Sequence, residues 1–184
     1  MEAIDHLTRV LAPASDDPAA NAAVALLLQK GDEALRVLLV KRAENPVDSW
    51  SGQMALPGGR RDAADRDLLD TVVREVAEET NIHVREGGRF LGVLPPHQSQ
   101  RRPDLMVRPF VILLEQEPSI QVRAREVERF LWVSLNDLVH KEGPVTFSFG
   151  ERPAYTVGPY IVWGLTYRIL QHFIDHLAAP ENPM

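Results

Sequence analysis

The segment 67–80 limits what this chain can fold into more than any other part of the sequence, because its pattern predicts an amphipathic helix that must cover another layer. Apolar residues recur there at helical spacing on one stripe, and acidic residues occupy the neighbouring face. Such a helix gains most of its stability from burying the stripe. The residues of the stripe are Leu68, Leu69, Val72, Val73 and Val76.

Strand-like apolar runs supply the layer that this helix covers. The runs 22–28 and 35–40 are separated by a short polar segment, so we expect a β-hairpin. Because helices and strands are intermixed along the chain, we predict an α/β fold with a mixed β-sheet covered by helices. The other expected elements are a leading helix over 4–11, a loop over 43–59, strands over 89–94, 106–114 and 127–133, a loop over 95–103, a helix start at 134–137, and a final helix from 159 or 160 to about 177.

Length and composition are those of a globular chain with one domain. Of the 184 residues, 45% are hydrophobic and 25% are charged. We therefore expect one domain over 1–184, with a helix and loop over 1–20 and a frayed tail over 178–184. The absence of cysteine excludes disulfides, thiolate nucleophiles and zinc sites of the cysteine type.

Charge and hydropathy bear on location and partners. No apolar run approaches the roughly 18 residues that a membrane span needs, so we expect no membrane partner. The acidic N-terminus is unlike a basic secretory signal, and we predict a cytoplasmic location. A net charge of −6 argues against nucleic acid as a partner, since that affinity comes largely from Lys and Arg. The sequence leaves a homodimer open.

Three glutamates on the predicted helix carry the most specific chemical signal. Glu75, Glu78 and Glu79 stand at i, i+3 and i+4, so their carboxylates converge on one patch about one turn long. Like charges at this spacing destabilise a helix unless a cation neutralises them. Hard oxygen ligands suit Mg²⁺ or Mn²⁺, and magnesium usually combines one or two carboxylates with substrate phosphates. The alternative is an ordinary solvated helix face.

Two neighbouring features fit a metal-bound phosphate. Gly58 and Gly59 allow a close backbone approach and present carbonyl and amide groups to a metal or phosphate. Arg74 precedes Glu78 by four residues and is adjacent to Glu75, so it can steady the acidic cluster. Each feature alone is common, and their order and spacing together make the hypothesis.

These residues resemble the Nudix box, G-x5-E-x7-R-E-U-x-E-E-x-G-U, in which U is a bulky aliphatic residue. Gly59 matches its first glycine and the run 74–82 matches its last block, with Asn81 in place of the final glycine. The first acid is Asp65 instead of Glu, and eight residues separate it from Arg74. The resemblance implies a Nudix-type α/β/α sandwich with a mixed β-sheet and a hydrolase that cleaves a nucleoside diphosphate derivative with Mg²⁺ or Mn²⁺.

The resemblance also implies roles for individual residues. The metal ligands would be Glu78, Glu79, the Gly59 carbonyl and Glu75, and Glu75 or another carboxylate would accept the proton of the attacking water. We accordingly expect Glu75, Glu79 and Arg74 to be the catalytic residues, with Gly58 and Asp65 in support. Glu126 resembles an acid that several Nudix enzymes bring to the metals from outside the box, with Glu128 as the alternative.

Further segments look like the coenzyme A pyrophosphatase branch of the family, namely 37–43, 51–59 and 161–166. The implied reaction releases 4′-phosphopantetheine and adenosine 3′,5′-bisphosphate from coenzyme A. Trp50 and His97, in the two long loops, are candidates for contacts with a base. The basic residues that we expect to hold phosphate groups of the substrate are Arg42, Arg60, Arg61, Arg101 and Arg102.

Two other functions remain as alternatives. The substrate can instead be ADP-ribose or a nucleoside triphosphate, since the box predicts the reaction more specifically than the leaving group. A nucleotide-binding module of the same fold without catalysis is the second alternative, and the intact Glu75, Glu78 and Glu79 argue against it.

Overall fold

The computed structural model describes residues 2–44, 52–122 and 126–178, and its central feature is a mixed sheet with helices on both faces. The helices are α1 (Glu2–Val10), α2 (Leu68–Thr80), α3 (Val84–Gly87), α4 (Leu135–His140) and α5 (Gly164–Ala178). The strands are β1 (Ala22–Lys30), β2 (Leu35–Arg42), β3 (Met54–Ala55), β4 (Gly58–Arg60), β5 (Gly88–Val93), β6 (His97–Gln98), β7 (Met106–Leu114), β8 (Val127–Ser134), β9 (Glu142–Phe147), β10 (Gly150–Val157) and β11 (Tyr160–Trp163).

The large sheet is built around the long apolar strand β1. It pairs antiparallel with β2, which confirms the predicted hairpin, and parallel with β7 along seven residue pairs. The order through the sheet is β3-β2-β1-β7-β5, with β8 on β2, β4 on β1 and β6 on β7. One parallel pairing among antiparallel ones makes the sheet mixed, as predicted.

The two faces of β1 belong to two separate apolar clusters, because successive side chains of a strand point to opposite sides. Ala25 and Leu27 pack in the cluster with α2, whereas Leu26 and Leu28 pack in the cluster that includes residues of α1, α4 and α5. The α2 stripe is fully buried at Leu68, Val72 and Val76. The fold is therefore the predicted α/β/α sandwich.

Both ends of helix α2 lie where the sequence predicts them. The Asp67 carboxylate accepts a hydrogen bond from the Asp70 N–H at 2.7 Å, which satisfies one free amide of the first turn. At the other end Asn81 adopts the left-handed conformation, with φ of 60°, and its N–H donates to the Ala77 carbonyl. Asparagine thus replaces the glycine of the motif without disturbing the helix end.

The C-terminal region differs from the prediction. Residues 160–163 form strand β11 instead of the first turn of the final helix, and α5 begins at Gly164. Strand β11 pairs with β10, and β10 with β9, in a second sheet of three antiparallel strands. The break falls at Gly164, whose φ of +66° is outside the helical region. The tail predicted over 178–184 begins with a helical residue, and 179–184 lie outside the described residues.

The predicted loops contain short strands. Strand β3 lies within 43–59 and β4 begins there and ends at Arg60, and β6 lies within 95–103, where it pairs with β7. A strand of two or three residues has too few positions to show a hydrophobic period in the sequence. None of the helices in the described residues is long and apolar enough to cross a membrane.

Candidate functional site

The Gly58–Gly59 turn, which precedes α2, packs closely against both β1 and the acidic helix. At Gly58, where φ is +148°, an added Cβ would lie 2.2 Å from the Ala23 carbonyl oxygen. At Gly59 an added Cβ would lie 2.5 Å from the Glu75 carboxyl. Only glycine fits Gly58 without moving backbone, and at Gly59 it lets the acidic helix approach the turn.

Arg74 holds the acidic cluster together from its flank. Its guanidinium donates to both oxygens of Asp65 at 3.0 and 2.9 Å, to Glu75 Oε1 at 2.8 Å and to Glu78 Oε2 at 3.4 Å. A further bond, at 3.1 Å, goes to the Arg60 carbonyl of β4. Arg74 therefore ties the helix to the glycine turn.

Asp65 is held in place by more than the arginine. The buried carboxylate also accepts hydrogen bonds from the Thr71 hydroxyl and from the Asp62 N–H. The bond from Arg74 holds the pKa of Asp65 well below its usual range, and the two other donors act in the same direction, against the effect of burial. The extra residue between Asp65 and Arg74 does not prevent their two-oxygen contact.

Glu79 is the most buried carboxyl of the three, with 3% of the residue exposed. Its Oε2 accepts a hydrogen bond from the Gly58 N–H at 3.0 Å. Burial raises the pKa of Glu79 to about 8, although that hydrogen bond and the charge of Arg42 act in the opposite direction. The negative charges of Glu75 and Glu126 raise it further.

Glu75 lies between the turn and the rest of the cluster. Burial raises its pKa as well, against the contacts with Arg74, and the charges of Glu78 and Glu126 add to the increase. Glu78 is more exposed, with 37% of its side chain accessible. The three glutamates thus form a gradient from a buried to an open carboxylate on one helix face.

The structure brings Glu126 into electrostatic reach of the cluster, since its charge acts on both Glu75 and Glu79. Its carbonyl accepts a hydrogen bond from the Ala43 N–H, which places it beside the end of β2. The alternative residue, Glu128, forms an ion pair with Lys41 at 2.5 Å. Of the two acids, Glu126 is the one whose charge acts on Glu75 and Glu79.

The residues present fit a hard divalent cation. Glu75, Glu78 and Glu79 lie on one side of α2 and supply hard oxygen donors, and burial raises the pKa of Glu75 and Glu79, so a cation would favour their ionised form. In the described part of the chain, no three acidic or histidine side chains already converge as a ligand set. Glu75 and Glu78 instead accept hydrogen bonds from Arg74.

A cavity of about 280 Å³ opens beside the glycine turn. Gly58, Gly59 and three of the predicted arginines, Arg42, Arg60 and Arg101, line it. Its remaining wall comes from β1, β3, the segment 99–105 and the start of α5, and much of it is apolar. The cavity therefore places cationic side chains next to the glycine turn, which the acidic helix contacts.

The structure does not bring the other two predicted arginines into this cavity. Arg61 donates to the carbonyls of Asp65 and Arg66 and forms an ion pair with Asp16, so it braces the approach to α2. Arg102 pairs with Asp104 at 3.4 Å. Basic residues adjacent in sequence thus point to different surroundings.

Sequence reasoning missed the contribution of the C-terminal region. Trp163 falls within the predicted final helix, yet it lies on β11 and lines the cavity together with Leu165 and Thr166. Gly158 and Gly164 flank the segment, and these two breaks were the available signal for a separate strand. Of the proposed base contacts, His97 lies against His172, with 5.2 Å between ring centroids, and Trp50 lies outside the described residues.

Comparisons with known proteins agree with this geometry. The NUDIX domain model matches residues 18–151. Mouse mitochondrial coenzyme A diphosphatase NUDT8 is 32% identical over 96% of this chain and 91% of its own length. Peroxisomal coenzyme A diphosphatase ndx-8 of Caenorhabditis elegans is 29% identical over 80% of this chain and 64% of its own.

Other relatives share less of their length or only the fold. Uncharacterized protein C14C4.10c of Schizosaccharomyces pombe is 37% identical over 58% of this chain, but the match spans only 34% of that protein. The NUDIX domain of Shewanella oneidensis NrtR, solved with ADP ribose, superposes with a TM-score of 0.57, at 21% identity, over 88% of this chain and 94% of its own.

The comparisons correct one prediction and establish the family. The cytoplasmic location is wrong by these findings, because relatives that share the domain are named mitochondrial and peroxisomal. A compartment is specified by addressing segments, about which an acidic N-terminus and a globular composition say nothing. The family model and the mouse relative cover most of the chain, and the chain therefore belongs to the Nudix hydrolase family.

Proposed function

We propose that this chain hydrolyses the diphosphate linkage of coenzyme A or a close derivative, giving 4′-phosphopantetheine and adenosine 3′,5′-bisphosphate. The observation that carries the proposal is the contact of the Glu79 and Glu75 carboxyls with the Gly58–Gly59 turn at the edge of an arginine-lined cavity. The names of the mouse and worm relatives support the same substrate.

Divalent metal binding is part of the proposal. Glu75, Glu78, Glu79 and the Gly59 carbonyl would hold Mg²⁺ or Mn²⁺, and Glu126 would approach from the end of β8. When bound, the cation supplies charge neutralisation on the diphosphate oxygens and makes the attacking water more acidic. Fixed carboxylates on a rigid helix suit this role because they keep the donor oxygens in position.

The protein residues have separate tasks in the proposed reaction. Water attacks one phosphorus in line, the bridging oxygen leaves with the other phosphate, and one carboxylate of the trio accepts the proton of the water. Arg74 keeps Glu75 and Glu78 oriented, and Asp65 fixes Arg74 through two hydrogen bonds. Arg42, Arg60 and Arg101 would bind phosphate groups of the substrate from the cavity wall.

A substrate panel with metal titration tests the proposal. Coenzyme A, ADP-ribose and a nucleoside triphosphate are incubated with the purified full chain in Mg²⁺ or Mn²⁺, with Glu79→Gln as the inactive control. Coenzyme A should be turned over fastest. Faster turnover of ADP-ribose, which the NrtR domain binds in its crystal, would favour a different substrate. Tight binding without turnover in either metal would identify a binding module.

A further inference from the structure

Three aromatic rings of the second sheet form a continuous cluster that the proposed reaction does not yet use. Phe147 and Phe149 are stacked nearly parallel, with an interplanar angle of 9° and ring centroids 5.1 Å apart. Trp163 contacts both rings, with centroid distances of 4.9 Å to Phe147 and 5.3 Å to Phe149. We call Phe147, Phe149 and Trp163 the aromatic platform.

The aromatic platform is not a closed part of the core. Phe149 is 51% exposed, and Phe147 and Trp163 are both partly exposed. An exposed phenylalanine by itself is common, but a cluster of partly exposed aromatic rings offers a surface suited to a flat ligand. Neither large apolar cluster of the sandwich includes any of the three rings.

The aromatic platform is continuous with the cavity of the acidic site. Trp163 lines the cavity that also contains Gly58 and Gly59, and strand β11, which carries Trp163, packs against β3. A ligand whose diphosphate lies at the glycine turn therefore has Trp163 within the same opening, and Phe147 and Phe149 contact Trp163. One of the two substituents on the diphosphate of such a ligand is a nucleoside.

Guanidinium groups lie against the rings at two places. Arg101 is 5.5 Å from the centroid of Trp163, and Arg152 is 5.7 Å from that of Phe149. Aromatic faces beside cationic groups are the combination that binds nucleotides, since the base stacks and the phosphates pair with the cations. A plain acyl chain would gain nothing from the two charges.

We propose that the aromatic platform stacks the nucleobase of the substrate, with Arg101 beside the phosphates of the same nucleoside. This inference rests on the proposed function for the identity of that substrate, an adenosine derivative, but stacking itself requires only a base. The purine would lie against Phe149 and Trp163 and would replace the guanidinium groups that lie over these two rings in the structure. The platform would then determine substrate specificity without contacting the reacting phosphorus.

The test measures base binding separately from hydrolysis. Titration calorimetry gives the Kd of the product adenosine 3′,5′-bisphosphate for wild type, Phe149→Ala, Phe149→Leu and Phe149→Tyr. Phe149→Ala should weaken binding roughly five- to fiftyfold, the range of a lost stacking contact. Phe149→Leu should lose almost as much, whereas Phe149→Tyr should bind like wild type. Phe130→Ala, which removes a ring with 39% exposure on β8, is the matched control and should leave Kd unchanged.

The outcomes separate this inference from the proposed function. Unchanged Kd in Phe149→Ala, or equal losses in Phe149→Ala and Phe130→Ala, would overturn the platform even if wild type hydrolyses coenzyme A. Retained affinity in Phe149→Leu would make the ring a packing residue and also overturn it. Binding of the bisphosphate that depends on Phe149, in a protein with no activity on coenzyme A, would support the platform and refute the proposed function.

Discussion

Glu79 shows how burial produces an unusual carboxylate at the scale of one residue. It lies at the end of the apolar stripe of α2, so the packing that fixes the helix also removes this side chain from water. The Gly58 N–H compensates part of the lost hydration, and the pKa nevertheless rises to about 8. A divalent cation is the partner that would compensate the remainder.

Glu79→Gln should lower turnover by about two orders of magnitude or more, because it removes a charge from the predicted metal site without changing volume. The measurement is kcat on the best substrate of the panel at saturating Mg²⁺. Circular dichroism should show an intact fold. Glu33→Gln, an exposed acid in the β1–β2 turn, is the control, and equal activity of the two variants would contradict the metal assignment.

The raised pKa of Glu79 also predicts a pH-dependent stability in the presence of a chelator. The pKa of about 8 in the folded protein lies above the usual glutamate value of 4.5, so the folded state disfavours ionisation. The resulting loss of folding stability is absent below about pH 4.5, grows as the pH rises, and is complete above about pH 8.

Glu79→Gln does not ionise and should therefore be more stable than wild type at high pH. The expected gain is roughly 1–3 kcal/mol in the free energy of unfolding near pH 8.5, and it should vanish near pH 4.5. Urea unfolding in EDTA across this range measures it. A gain of the same size at every pH would show that the carboxyl does not titrate as its burial indicates.

The glycine turn and α2 act together at the scale of elements. Gly58 must fit against the backbone of β1, whereas Gly59 must fit against the movable end of the Glu75 side chain. Adjacent glycines therefore have different requirements, one for the fold and one for the position of a predicted catalytic group. The same substitution at the two positions distinguishes them.

Gly58→Ala should destabilise the protein by about 3 kcal/mol or more, because its Cβ would meet the Ala23 carbonyl and its φ is strained. Gly59→Ala should cost less stability but reduce kcat at least tenfold, since Glu75 has to move. Thermal unfolding and steady-state kinetics measure both. Gly143→Ala, with open space at its Cβ, is the control, and equal stability of Gly58→Ala and Gly143→Ala would refute the argument.

The parts of the fold that could be predicted are those with long periodic patterns. The stripe of α2 and the hairpin of β1 and β2 contain enough residues to define a period, and both are confirmed. Strands β9 to β11 were not predicted, because the run 142–147 alternates only between exposed and partly buried positions. Their pairing is set by register with neighbouring strands, which a single sequence does not show.

In the candidate site, too, the features within one helix could be predicted and those that combine distant segments could not. The spacing within one helix predicted that Glu75, Glu78 and Glu79 share a face, and in the structure they do. The cavity wall comes from separate segments of the chain, so the place of Trp163 depended on the fold of the whole C-terminal region. Local geometry can be deduced from spacing, and contacts between distant segments cannot.

The whole molecule determines which member of each basic pair faces the cavity. Arg101 lines it and lies over Trp163, whereas its neighbour Arg102 is turned to Asp104. Arg60 lines it too, although its guanidinium also pairs with Asp104 at 2.6 Å, while Arg61 braces the segment before α2. The proposed phosphate contacts therefore belong to single arginines of different segments, and Arg102 can serve as a control for Arg101.

Arg101→Ala should raise KM for coenzyme A about tenfold and raise KM for 3′-dephospho-coenzyme A less than threefold, because an arginine bound to a phosphate contributes a charge-assisted hydrogen bond. Arg102→Ala should change neither value by more than about twofold, since a surface ion pair contributes little. Steady-state kinetics on both substrates at fixed ionic strength gives the four comparisons. Equal losses on the two substrates would place Arg101 at the diphosphate instead of the 3′-phosphate, and equal effects of the two variants would remove the cavity wall from phosphate recognition.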